Sequence, residues 1–269
     1  MKIILGQGLR GKFMVELSVA MPFYRAKYIG WLQFESLTRQ QGIEFEWEIC
    51  LIEEDNDETF GYEAISKYMP KLKELGCKRV VYDKINNWVP LARKVGMLVE
   101  KCQGRILTFG IADHYSPPLR LKSCYDEFKK GIDWYRIANK IFYDIETKTL
   151  AVKKLSPRGS CCKAVLLSIA KQIKIEPDRW KGVDGWFYRA CCAVKNMVEY
   201  VDESDNWKYS LNTHGFNNIT PERGYKIRNH AKTFLEYPIK LADIVPKDIA
   251  LRLQESKDNL NKHKLTVPE

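Results

Sequence analysis

Apolar and polar positions alternate with two different periods along the first half of the chain, which predicts strands separated by helices. Short, nearly continuous apolar segments predict buried strands at residues 15–21, 44–52, 78–82 and 105–112. Between these strands, apolar residues recur at the spacing of an amphipathic helix at residues 28–41, 62–75 and 89–102. A glycine lies just beyond the end of each predicted helix, at Gly42, Gly76 and Gly104. Apolar strands that alternate with helices indicate a mainly parallel sheet buried on both faces.

The second half of the chain has a less regular pattern. Helices are predicted at residues 119–130, 163–172 and 185–201, and strands at residues 134–143 and 149–154. Residues 206–224 have the composition of a loop, and short helical turns are predicted around Pro246 at residues 239–253. The sequence has no internal repeat and no low-complexity segment.

Composition places the chain among globular proteins. Of its 269 residues, 45% are hydrophobic and 12% aromatic, which is enough for a substantial core; the segment from residue 254 to the end is the exception and is predicted to be disordered. The apolar run near the N-terminus covers only residues 3–5, too short for a signal peptide, and no window reaches the length of a transmembrane helix. We therefore expect a cytoplasmic protein without a membrane span.

The eight cysteines are expected to be reduced thiols. None has a C-x-x-C spacing, two pairs are adjacent in sequence, and several lie in apolar runs. This pattern argues against a disulfide framework and against a zinc site.

The chain is basic, with 44 Lys and Arg against 34 Asp and Glu and a net charge of +10. A positive balance favours polyanionic partners such as nucleic acid, anionic lipid or phosphorylated substrates, but it does not select among them.

Chemistry-bearing residues follow three of the predicted strands. The first strand is followed by Pro22, Phe23, Tyr24 and Arg25, the second by Glu53 and Glu54, and the fourth by Asp113 and His114. Ligands of open α/β sheets bind at the carboxyl ends of the strands. A nucleotide needs a ring to stack on, carboxylates for its hydroxyl and N–H groups, and a metal ligand for a diphosphate, and this edge offers all three.

Four motifs in order resemble those of inverting family-2 glycosyltransferases with the GT-A fold. The run Leu91-Ala92-Arg93-Lys94-Val95-Gly96, then Gly104-Arg105-Ile106-Leu107, then Asp113, is similar to the central signature of that family. The first strand with its Pro-Phe-Tyr-Arg turn, the pair Glu53-Glu54, and Val183-Asp184 resemble the other three motifs. The family's Asp-x-Asp is here Ile111-Ala112-Asp113, so only its second carboxylate is present.

The resemblance implies a fold, a domain organisation and a set of site residues. The fold would be a GT-A domain at residues 1–224, with a donor half at 14–118, an acceptor half at 119–224 and a helical C-terminal extension at 225–269. Mn²⁺ or Mg²⁺ would be held by Asp113 and His214, and Asp184 would be the general base. Trp186 and Arg189 would contact the acceptor. The nucleotide-sugar, expected to be a UDP-sugar with a glucose-like group, would contact Pro22, Phe23, Tyr24, Arg25, Glu53, Glu54, Arg93, Ala112 and Asp113.

The acceptor is left open by the residues. The net charge, and basic residues interleaved with aromatics beyond the donor half, favour hydroxymethylated pyrimidines in DNA, which some phage enzymes of this type modify; the basic residues are Lys122, Lys129, Lys130, Lys153, Lys154 and Arg158. A bacterial surface polysaccharide or lipopolysaccharide is the first alternative. A non-catalytic nucleic-acid-binding protein on a degenerate transferase scaffold is the second. The oligomeric state is not predicted.

Overall fold

The computed structural model describes residues 2–5, 15–24, 26–55, 59–145, 148–154, 163–180, 182–204, 211–214, 235–236 and 240–255. Strands within these ranges are β1 Lys2–Leu5, β2 Leu17–Phe23, β3 Trp47–Glu54, β4 Cys77–Ile85, β5 Ile106–Phe109, β6 His114–Tyr115, β7 Trp134–Ile137, β8 Asn139–Asp144, β9 Thr149–Lys154, β10 Ala164–Leu166, β11 Glu199–Asp202, β12 Leu211–His214 and β13 Leu235–Glu236. Helices are α1 Trp31–Thr38, α2 Gly61–Glu74, α3 Leu91–Lys101, α4 Arg120–Lys129, α5 Leu167–Ala170, α6 Val183–Val194, α7 Leu241–Ile244 and α8 Lys247–Glu255.

The central sheet has eight strands in the order β1-β4-β3-β2-β5-β10-β7-β11. Strands β4, β3, β2 and β5 are parallel to one another, and β11 is parallel to β7. Strand β10 runs antiparallel between β5 and β7, and β1 is antiparallel to β4 at the edge. The mainly parallel α/β sheet predicted from the sequence is therefore confirmed.

Helices cover both faces of this sheet because its inner strands are apolar on both sides. Every residue of β2 is buried. Leu17, Val19 and Met21 pack in one layer with residues of α1, α2 and α4, whereas Ala20 packs in the other layer with residues of α3 and α6. Successive side chains of a strand point to opposite faces, so one unbroken apolar run supplies both layers.

A second sheet of five strands, in the order β13-β9-β8-β12-β6, lies beside the first. Its buried residues share a core with α1, α7 and α8, in which Leu241 and Leu253 pack with Trp31 and Tyr143. The guanidinium of Arg252 also lies 3.8 Å from the centre of the Trp31 ring. The C-terminal helices are thus packed against α1 and the second sheet.

The predictions for the second half of the chain need four corrections. The helix predicted at 163–172 is strand β10 followed by the short α5, because the backbone of Ala164 and Val165 pairs with strands on both sides. The helix predicted at 185–201 begins earlier, as α6, and its end is strand β11. The strand predicted at 134–143 divides at Ala138 into β7 and β8, which belong to different sheets. Strand β12, Leu211–His214, lies within the segment 206–224 that was predicted to be a loop. In the first half of the chain, strand β1 was not predicted.

Two further expectations concern thiols and membranes. The cysteines in the described ranges, Cys50, Cys77, Cys102, Cys124, Cys191 and Cys192, are free thiols, as the sequence predicted. Across the ranges that the structure describes, no helix has the length and hydropathy that a membrane span requires.

The buried carboxylate of Glu48 links the strands at the centre of the sheet. Glu48 of β3 accepts hydrogen bonds from Ser18 Oγ at 2.6 Å and from the backbone N–H groups of Gln103 and Gly104 at 2.5 and 3.2 Å, and it pairs with Arg79 of β4. A Cβ at Gly104 would lie 2.7 Å from the β2 backbone, so only glycine allows this approach. Glu48 therefore connects β2, β3, β4 and the entry to β5.

We expect Glu48→Gln to lower the free energy of unfolding by about 3 kcal/mol, because it leaves the partly buried Arg79 without its counter-charge. Urea denaturation followed by circular dichroism measures the change. Glu46→Gln is the matched control: its ion pair with Lys78, at 3.6 Å, is largely exposed, so the loss should stay below about 1 kcal/mol. Equal losses in the two variants would contradict this assignment.

Candidate functional site

The turn that carries Asp113 lies directly after β5, at the carboxyl edge of the central sheet. The Gly110 N–H donates to Ala20 O at 2.8 Å, and the His114 N–H donates to Ile111 O at 3.1 Å. The backbone oxygen of Asp113 accepts from both N and Oγ1 of Thr213, at 2.9 and 3.0 Å. Strand β12 therefore anchors Asp113 across 100 positions of sequence.

Two buried side chains support this turn from inside the protein. The Arg120 guanidinium donates to Ser116 Oγ at 2.6 Å, to Phe109 O at 2.6 Å and to Thr108 Oγ1 at 2.7 Å. The Gln33 amide, in the orientation that satisfies both its atoms, donates to the backbone oxygens of Ile111 and His114 at 3.1 and 3.2 Å. A buried guanidinium must be hydrogen-bonded, so the partners of Arg120 fix the path of residues 108–116.

The Asp113 side chain is partly buried and lies against its neighbour in sequence. Its Oδ1 is 3.3 Å from Nε2 of His114, whose ring is buried. The predicted second metal ligand, His214, lies on β12 immediately after Thr213. The structure thus brings the backbones of both predicted ligands together, while the side chain of His214 lies outside the described residues. Ala112, beside Asp113 in the turn, is half-buried and offers no carboxylate.

Glu53 is used by the fold. It is fully buried, and its carboxylate accepts from the N–H groups of Phe60 and Gly61 at 2.8 and 2.7 Å, at the N-terminus of α2. A Cβ at Gly61 would come within 2.8 Å of Glu53 Oε2, which explains the glycine. Burial raises the pKa of the Glu53 carboxyl, and these backbone hydrogen bonds lower it. We therefore assign Glu53 to the capping of α2, in place of the nucleotide contact expected from the sequence.

Glu54, the next residue of β3, points to the opposite face of the sheet and pairs with Lys94 of α3. The Lys94 Nζ lies 2.5 Å from Glu54 Oε1, donates to Phe23 O at 3.1 Å, and sits 5.3 Å from the centre of the Tyr24 ring. Burial lowers the pKa of Lys94, and the Glu54 carboxylate raises it. Lys94 thus joins the carboxyl ends of β2 and β3 and faces the Tyr24 ring.

The other residues predicted to contact the nucleotide differ in exposure. Pro22 and Phe23 are buried within β2, where the Phe23 ring packs edge-on against Phe34. Tyr24 is half-buried at the sheet edge, and Arg25 lies outside the described residues. Arg93 lies on the exposed side of α3, 3.9 Å from Asp178. Its neighbour Lys94 is the member of that motif that faces the sheet edge.

Asp184 lies in the first turn of α6, after Gly182, whose φ is 62°. Its side chain is 58% exposed, and Oδ1 accepts a hydrogen bond of 2.7 Å from Nζ of Lys163, whose side chain is only 4% exposed. Of the predicted acceptor residues on the same helix, Arg189 is exposed. Trp186 is instead a core residue packed against Phe187, because it lies on the face of α6 turned to the sheet.

Sequence reasoning missed Arg120, Lys163 and Gln33. The available signal for Lys163 was a single cation next to the apolar segment 164–167. The signal for Arg120 was a cation in the first turn of a helix, where the helix dipole favours acidic residues.

Comparisons with known proteins support the fold. No protein-family profile and no curated protein sequence matches this chain. The structure of S. aureus TarS in complex with UDP-GlcNAc is similar over 92% of this chain and 72% of that chain, with a TM-score of 0.57 and 14% identity. The mannosyltransferase PcManGT from Pyrobaculum calidifontis, solved with GDP-Man and Mn²⁺, is similar over 80% of this chain and 59% of that chain, with a TM-score of 0.52 and 11% identity.

A longer TarS structure has a TM-score of 0.56 and 16% identity over 75% of this chain, which spans only 37% of that TarS chain. These neighbours are GT-A-type glycosyltransferases. At such low identity the similarity establishes the architecture and not the activity. The chain therefore has the GT-A fold, as its four sequence motifs predicted.

Proposed function

We propose that this protein is a nucleotide-sugar-dependent glycosyltransferase. The observation that carries the proposal is that Asp113 and Asp184 both lie near the carboxyl end of β5: buried side chains hold the turn that carries Asp113, and the buried Lys163 holds the Asp184 carboxylate. The similarity in fold to TarS, solved with UDP-GlcNAc, and to PcManGT, solved with GDP-Man, supports the same assignment. Fold alone does not define an activity, so the site residues carry the chemistry.

The donor nucleotide is proposed to bind at the carboxyl ends of β2 and β3. The half-buried Tyr24 ring offers a stacking surface there, and Lys94 holds it next to Glu54. A UDP-sugar is the proposed donor, and Ile111 stands at the first position of the Asp-x-Asp pattern, so one carboxylate of that pattern is missing here.

The residues around Asp113 fit a divalent cation. The carboxylate lies in a fixed turn, next to the strand that carries His214, and carboxylate with imidazole is a ligand pair suited to Mn²⁺. Mg²⁺ is commonly held by one or two carboxylates together with substrate phosphates, so Asp113 with a donor diphosphate would also serve it. A cation bound there would neutralise the charge that develops on the diphosphate leaving group.

Asp184 is proposed to activate the acceptor. Its exposed carboxylate takes the proton of the acceptor hydroxyl as that oxygen forms a bond to the anomeric carbon. The bond from the anomeric carbon to the donor diphosphate breaks, and the nucleoside diphosphate leaves with the bonding electrons. Direct displacement through an oxocarbenium-like transition state inverts the anomeric configuration.

We propose a carbohydrate hydroxyl as the acceptor. Two of the lysines that suggested DNA are compensated: Lys122 of α4 pairs with Asp126 at 2.7 Å, and Lys130, directly after α4, pairs with Glu127 at 2.6 Å. Lys129 lies 5.4 Å from the centre of the Tyr125 ring. The side chains of Lys153, Lys154 and Arg158 lie outside the described residues. Hydroxymethylated DNA is the second candidate acceptor, because the net charge of +10 favours a polyanion.

Asp113→Asn should weaken UDP binding in the presence of Mn²⁺ by roughly 10- to 100-fold, since it removes a negatively charged ligand of the cation. Isothermal titration calorimetry with and without Mn²⁺ measures this. The matched control Asp178→Asn, at a side chain 92% exposed, should bind UDP as the wild-type protein does. UDP binding that is identical in Asp113→Asn and wild type would remove Asp113 from the proposed metal site.

Asp184→Asn should slow sugar transfer by roughly 10²- to 10⁴-fold, the range for loss of a general base, while UDP binding stays unchanged. The assay offers a panel of nucleotide sugars with glycan acceptors or with hydroxymethylated duplex DNA, and mass spectrometry detects the added hexose. If the wild-type protein transferred sugar to the DNA and to none of the glycans, DNA would be the acceptor and the proposed carbohydrate acceptor would be wrong. A fully active Asp184→Asn variant would refute the base assignment.

A further inference from the structure

A series of hydrogen bonds, most of them buried, connects the Asp113 turn to Asp184. Arg120, which holds that turn, donates to Thr108 Oγ1 at 2.7 Å. The Thr108 hydroxyl in turn donates to the backbone oxygen of Lys163 at 2.9 Å. Lys163 Nζ then donates to Asp184 Oδ1 at 2.7 Å. The turn that carries Asp113 and the carboxylate of Asp184 are therefore both connected to the same segment of β5.

The backbone of Lys163 is held next to β5 by its own carbonyl and by the strand that follows it. It directly precedes β10, whose Ala164 pairs with Thr108 of β5. Its ammonium lies 5.6 Å from the centre of the Phe109 ring and 5.4 Å from that of Phe187. An ammonium removed from water beside two aromatic rings that contact each other needs a counter-charge, and the Asp184 carboxylate supplies it.

The ion pair is asymmetric in a way that suits a substrate-facing carboxylate. Lys163 is buried, whereas more than half of the Asp184 side chain remains exposed. One oxygen is thus held from the interior while the carboxylate stays accessible from the solvent side. An acidic residue in the first turn of a helix already stabilises the helix dipole when it is exposed, so a buried lysine is not needed for that purpose.

We propose that Lys163 is the positioning residue for Asp184: the Lys163 ammonium fixes the orientation of the carboxylate that deprotonates the acceptor hydroxyl. Thr108 and Arg120 in turn set the position of Lys163 relative to the Asp113 turn. This inference rests on the proposed glycosyltransferase function. Reactive groups must be held within a fraction of an ångström, and a displacement of about 1 Å can cost roughly 100-fold in rate.

The test is Lys163→Met, which keeps a long, unbranched side chain beside the two phenylalanine rings and removes the charge. We expect kcat for sugar transfer to fall roughly 100-fold, with the KM for the donor and the affinity for UDP unchanged. The matched control is Lys195→Met, which removes the Lys195–Asp133 ion pair of 2.7 Å but no contact to Asp184. It should retain the wild-type kcat, and thermal unfolding of both variants reports their folding.

Lys163→Ala provides a second measurement with a readout that a purely structural role would not produce. The cavity left beside the two aromatic rings should admit propylammonium, which restores part of kcat, whereas propanol of the same shape should not. Rescue by both compounds to the same extent would overturn a role for the charge.

The outcomes separate this inference from the function on which it rests. A wild-type protein that transfers no sugar to any acceptor overturns both. Transfer that Asp184→Asn abolishes, but that Lys163→Met leaves within about twofold, overturns the positioning role alone. A loss in kcat matched by an equal loss of UDP affinity also overturns it, because the lysine would then support the whole site.

Discussion

Buried cations at the carboxyl edge of the central sheet determine how the candidate site is built. Lys94, Arg120 and Lys163 are each almost fully removed from water, and each must find oxygen atoms within reach. Lys94 forms an ion pair with Glu54 and donates a hydrogen bond to Phe23 O. Arg120 donates to backbone and hydroxyl oxygens around β5, and Lys163 forms an ion pair with Asp184. The paths of the loops that leave β2, β3 and β5 follow from these requirements.

Neighbouring carboxylates have different roles because the strand pleat turns them to different layers. Glu53 faces the layer of α2 and satisfies the first N–H groups of that helix, whereas Glu54 faces α3 and neutralises Lys94. Both are buried, so both belong to the interior of the protein. By contrast, Asp184 stands on a helix rather than on a strand and remains exposed, which leaves it able to meet a substrate.

The second sheet has a direct part in this edge. Strand β12 pairs with β6 and β8, and its Thr213 holds the backbone of Asp113. The same sheet shares a core with α1 and the C-terminal helices α7 and α8. The turn proposed to carry the metal ligand thus follows β5 directly and is held on its other side by β12, a strand 100 positions later in the sequence.

The sequence by itself determined the parallel half of the fold and the position of its candidate functional edge. The long apolar runs between residues 15 and 112 have the length and periodicity that distinguish strands from helices, and so the pattern alone places Asp113 at a strand end. The motifs around residues 91–113 and 183–184 also indicated the GT-A fold.

Only the tertiary structure decided β10, β11, the split between β7 and β8, and the roles of Lys163 and Arg120. Strands of three or four residues carry too few positions to show a period, and their state depends on pairing with segments far away in sequence. A lysine or arginine in a sequence is exposed by default. Whether it is buried depends on oxygens supplied by other elements, and Lys163 meets Asp184 only because β10 and α6 pack beside the same end of β5.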